Sequence, residues 1–153
     1  MIKNILRSSL LLGLALPLAT IAQVLPGKHP GYLHALSDLR AARWFLYHQP
    51  GDAKVSAHED VSIAEIDAAI AEIKRAAIDD KKNISDHPTV DVPEHGSRLL
   101  KSIETLKKAH EDVAHEEDNP EARELRKQAL LHIDRALHEA EVAHADWLKS
   151  RKS

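Results

Sequence analysis

The chain has 153 residues, 29% of them charged, and a formal net charge of −3. That length suffices for one domain with its own core, and the acidic balance argues against nucleic acid or an anionic membrane surface as the main partner. There is no cysteine, so disulfides, thiolate metal sites and attached c-type haem are all excluded.

Residues 1–22 read as a secretory signal. Lys3 and Arg7 form a basic start, Leu10 to Leu18 an apolar run, and Thr20 and Ala22 place small residues at −3 and −1 of a cut before Gln23. Cleavage there predicts a periplasmic or secreted protein of 131 residues with no stable membrane insertion. The mature chain would carry 19 basic and 24 acidic residues, and no methionine.

Residues 23–31, with Pro26-Gly27 and Pro30-Gly31, read as a lead-in. The apolar period then predicts a first helix from about Tyr32 to His48, stopped by Gln49-Pro50-Gly51. Ser56 with Glu59, or Ser62 with Glu65, supplies a capping box for a second helix ending near Asp79. A linker over 80–94 contains Pro88 and Pro93. A third helix is predicted from His95 to Glu117. Asn119 before Pro120 starts a fourth that runs to about Lys149, ahead of a basic tail over 150–153.

At about 100° per residue each segment gathers one apolar stripe. The stripes are Leu33, Leu36, Leu39 and Leu46; Ile63, Ile66, Ile70, Ile73 and Ala77; Leu99, Ile103, Leu106 and Val113; and Ala129, Ile133, Ala136, Leu137 and Ala140 in a longer fourth run. A shift of 67 residues superposes Leu33, Leu36, Leu39, Ala42 and His48 on Leu100, Ile103, Leu106, Ala109 and His115. The same shift sets Ile66-Asp67 on Ile133-Asp134 and Ala69-Ile70 on Ala136-Leu137. The expected fold is therefore all-α: an antiparallel four-helix bundle over 32–149, made of two duplicated helical hairpins, 32–79 and 95–149.

Eleven histidines are the one compositional excess that points to chemistry. Without sulfur ligands, imidazole and carboxylate would select zinc, copper(II) or nickel. His132, His138 and His144 recur every six residues and so point about 120° apart, too divergent for one site. Asp112-x-x-His115 and Glu141-x-x-His144 have the spacing of di-iron ligands, but the first pair lies off the core stripe and the first two helices offer no core glutamate.

An up-and-down path would bring His95 and His144 to one pole, with His29 and His34 from the start of the first helix and His87 from the linker. These five residues are the expected metal ligands. A b-type haem held between His144 and a histidine at the start of the first helix is a second alternative. A module that meets a protein partner, with no ligand, is the first. Nothing in the spacing of serine, histidine and aspartate suggests a nucleophile, so no enzyme is expected.

Only His48 and His115 coincide across the repeat, so any metal site would be asymmetric. Arg40/Lys107 and Arg43/His110 recur beside the stripe, where long stems cover apolar surface.

The segments His29-Pro30-Gly31-Tyr32-Leu33-His34-Ala35-Leu36-Ser37-Asp38-Leu39-Arg40 and Ile66-Asp67-Ala68-Ala69-Ile70-Ala71-Glu72-Ile73-Lys74, with Asp86-His87-Pro88, resemble an uncharacterised family of bacterial exported helical proteins. That resemblance covers nearly all the mature chain and implies no activity. The helix segment Leu131-His132-Ile133-Asp134-Arg135-Ala136-Leu137-His138-Glu139-Ala140-Glu141 is similar to the His-rich repeats of small periplasmic metal-binding proteins, which implies metal buffering.

Overall fold

A computed structural model describes residues 29–47, 56–75, 81–86, 92–116 and 122–153. The signal segment, His48 and His87 lie outside the described residues. Among those described, the regular structure is four helices: α1 (Pro30–Leu46), α2 (His58–Arg75), α3 (His95–His115) and α4 (Arg123–Ser150). The first helix starts two residues earlier than the apolar period suggests, because Pro30 takes a first-turn position where its missing N–H costs nothing. Ser56 Oγ accepts the N–H of His58 at 3.3 Å and so opens α2. Glu59 does not close the capping box; it is buried and turns to α3 instead. Acidic residues in the first turn of α2 and Lys74 and Arg75 in its last suit the helix dipole.

The stripes meet in one core containing Leu36, Leu39, Ile66, Ile73, Leu99, Leu106 and Ile133, all essentially inaccessible to solvent. Around this core the helices stand in the order α1, α2, α4, α3, each packed on its two neighbours. Small residues let the backbones approach closely. Ser62 Oγ on α2 donates to the carbonyl of Ala136 on α4 at 2.7 Å, beside buried Ala69 and Ala129. At Gly31 an added Cβ would collide with the backbone carbonyl of Asp112, so α1 crosses α3 without room for a side chain.

Contact pairs give the directions. On α2 and α4, His58 meets Glu139, Ser62 meets Ala136 and Glu65 meets His132, so the two run in opposite directions. The start of α1 lies against the end of α3, through Gly31 and Glu116. The start of α3 lies against the end of α4, where the Trp147 indole covers Gly96. His95 on α3 reaches Glu59 on α2, so these two helices begin at the same end.

The up-and-down path expected from the sequence is therefore corrected. α2 and α3 are parallel, and the segment between them must travel the length of the bundle. This is the connection pattern of bundles with one long crossover. The 19 residues from 76 to 94 can do so, since a helix of 21 residues spans only about 30 Å and extended chain covers about 3.3 Å per residue.

Positions 67 apart share their burial. Leu39 and Leu106, Ala42 and Ala109, Leu46 and Val113, Ile66 and Ile133, and Ala69 and Ala136 are all core residues.

Candidate functional site

The crossover separates the histidines expected at one pole. His95 and His144 stay near one end. His29 and His34 lie at the other, against the end of α3, because α1 is antiparallel to α3. Helix α3 is about 30 Å long, far beyond any coordination distance. The five-ligand pole is thus not assembled, and a haem between His144 and the start of α1 has no geometry to occupy. Among the described residues no group of three or more His, Asp or Glu side chains is placed to hold a metal ion.

What the histidines meet is carboxylate. His29 Nδ1 lies 3.1 Å from Glu116, His58 Nδ1 2.5 Å from Glu139 and His132 Nδ1 2.6 Å from Glu65. His95 Nε2 lies 3.3 Å from Glu59, and His110 Nε2 3.2 Å from Asp134. Each pair joins different elements, so five of the nine described histidines bridge the bundle.

The rest have other surroundings. His115 Nδ1 lies 2.7 Å from the carbonyl of Glu111 in its own helix. His144 stacks on Trp147 with ring centroids 5.9 Å apart. His34 and His138 are exposed. His110, placed inward by the angular reading, is only partly buried and turns toward α4.

The Glu116 carboxylate does two things. One oxygen faces His29, and the other accepts the N–H of Gly31 at 2.7 Å. Helix α1 has no side-chain cap of its own and no acidic residue in its first turn. A residue from the far end of α3 thus fills the capping role that the local sequence leaves open.

Two arginines are nearly inaccessible. Arg40 is 3% exposed, and Arg98 is 2% exposed, with Nη1 donating to the carbonyls of Val92 and Pro93. The Arg98 position ties the end of the crossover to α3, and burial pulls its guanidinium below the ordinary arginine range. The repeat position Lys107 is exposed and pairs with Glu141, so the stem-covering role expected at Arg40 and Lys107 differs between copies.

Two surface clefts remain. One, of about 360 Å³, lies between the second half of α1 and Ile84-Ser85 of the crossover. The other, of about 500 Å³, runs along the start of α4 past Arg123, Lys127 and Leu131. No helix among the described residues is long and apolar enough to cross a membrane. No family model matches the chain, nor does any curated protein or solved structure.

Proposed function

We propose that this protein is an exported, non-enzymatic four-helix module, grown from a duplicated hairpin, that works through its outer surface. Its histidines cross-link helices; they do not collect metal. The observation that carries this reading is the occupation of five imidazoles by carboxylates on other elements. A ligand sphere would have to break these pairs and gather residues from opposite ends of α3. The basic start and apolar run over residues 3–18 support export.

Two contacts support the duplication. The intra-hairpin pair Arg43–Asp67 recurs, displaced by 67 residues, as His110–Asp134. Glu65 and His132 are themselves 67 apart and touch. Residues that meet their own repeat equivalent are what a two-fold relation between hairpins produces at its axis.

Thermal melts and calorimetric titration with zinc and copper(II) test the role of the histidines. The expected result is an unchanged melting temperature at about tenfold molar excess of metal. A saturable rise that His95→Ala with His144→Ala abolishes would restore a metal site and overturn this reading.

A further inference from the structure

The cleft beside α1 concentrates two residue types that the rest of the molecule uses sparingly. Its walls are Trp44, Tyr47 and Ile84, and its basic side is Arg40 and Arg43. Trp44 and Tyr47 are two of only five aromatic residues in the chain, and Tyr47 is 52% exposed. An aromatic ring left in water beside a guanidinium is not explained by the core, which closes without it. The Arg43 guanidinium lies 6.0 Å from the centre of the Tyr47 ring. Asp67 takes Nε and Nη2 of Arg43, at 2.7 and 3.5 Å, which leaves the Nη1 edge of the fork.

The internal repeat shows which of these residues the scaffold needs. Moving 67 positions along, Leu39, Ala42 and Leu46 become Leu106, Ala109 and Val113, all buried. In the same stretch Arg40, Arg43, Trp44 and Tyr47 become Lys107, His110, Glu111 and Ala114. The second copy keeps the packing and builds neither the aromatic wall nor the double guanidinium. The cleft is therefore a feature of the first hairpin alone, superimposed on a frame that stands without it.

We propose that this cleft binds a small aromatic carboxylate, its ring against Trp44 and Tyr47 and its carboxylate on Arg43. Arg40 adds positive charge behind the site. A guanidinium recognises a carboxylate through paired N–H donors, and a ring of indole or phenol offers a flat apolar partner. The volume is at the small end of ligand sites, which suits one or two fused rings. The proposal adds a ligand to the surface module and does not depend on how the histidines are used.

Isothermal titration of the intact mature protein with 2-naphthoate, 2-naphthamide and inorganic phosphate tests it. The expected result is a naphthoate dissociation constant below about 1 mM, with the amide and phosphate at least about tenfold weaker. Tyr47→Ala, at an exposed position, should weaken naphthoate about fivefold or more without lowering the melting temperature. Leu131→Ala, on another face, should leave affinity unchanged. No naphthoate binding at about 1 mM, equal affinity for the amide or for phosphate, or unchanged affinity in Tyr47→Ala would each overturn the proposal.

Discussion

Glu116→Ala removes the only carboxylate that serves the start of α1. The wild-type side chain is 11% exposed and holds both the Gly31 N–H and the His29 imidazole. Loss of a helix-capping acceptor costs about 1 kcal/mol, because α1 has no local side chain to replace it. Loss of the half-buried histidine bond adds about 1 kcal/mol. The helix-dipole contribution is small, since Glu116 sits at the favourable start of α1 and the unfavourable end of α3 at once.

The sum, about 2 kcal/mol, corresponds to a fall of about 8 °C in melting temperature for a domain of this size. Urea denaturation followed by circular dichroism measures it, with an unchanged slope as the sign that the transition is the same one. Glu116→Gln keeps an acceptor for Gly31 and loses the charge, so it should recover about half the loss. An alanine variant within about 0.3 kcal/mol of wild type would refute the capping argument. So would a glutamine variant as damaged as alanine.

Gly96→Ala should destabilise the bundle by about 1–3 kcal/mol, even though alanine is the better helix former, because its methyl would enter the space of the Trp147 indole. A thermal melt at or above the wild-type temperature would show that the indole yields without cost. Asp38→Asn should do the opposite at neutral pH. Burial, and then the Asp112 charge, push the Asp38 carboxyl above the ordinary aspartate value. The folded chain therefore holds that proton more tightly than the unfolded chain, and ionising Asp38 penalises folding once pH rises through the window above about 3.9. The half-exposed position keeps the gain under about 1 kcal/mol at pH 7, and it should vanish below that window. Urea midpoints of the two proteins across pH check it, and a gain that persists in acid would exclude the electrostatic cause.

Helix number, helix limits and most of the core were readable from periodicity, since a stripe of Leu36, Leu39 and Leu46 permits only one buried face. Periodicity does not say which neighbour that face meets. The linker was visible as a Pro-containing stretch, yet its length allows either a return or a crossing, and that single choice sends His29 and His34 away from His95 and His144. The histidine–carboxylate pairs were hidden for a related reason. Their partners lie 36 to 87 residues apart, beyond any local pattern. Glu59 illustrates the local limit: three residues after Ser56 it has the spacing of a capping residue, and His95 across the bundle takes it instead. The cleft had a faint trace, in that Arg40 and Arg43 stood out beside the stripe, but the approach of Ile84 was needed to make a concavity.

The crossover also sets the order in which stability can be acquired. The larger interfaces, α1 on α3 and α2 on α4, join the two hairpins and do not lie within them. Contacts of such long sequence separation close late and slow the folding of a helical protein. Until the 28 residues of α4 are made, α2 has nowhere to bury most of its isoleucine stripe. The chain therefore has no stable half: its cooperativity comes from a connection that forces the last helix to complete the first pair.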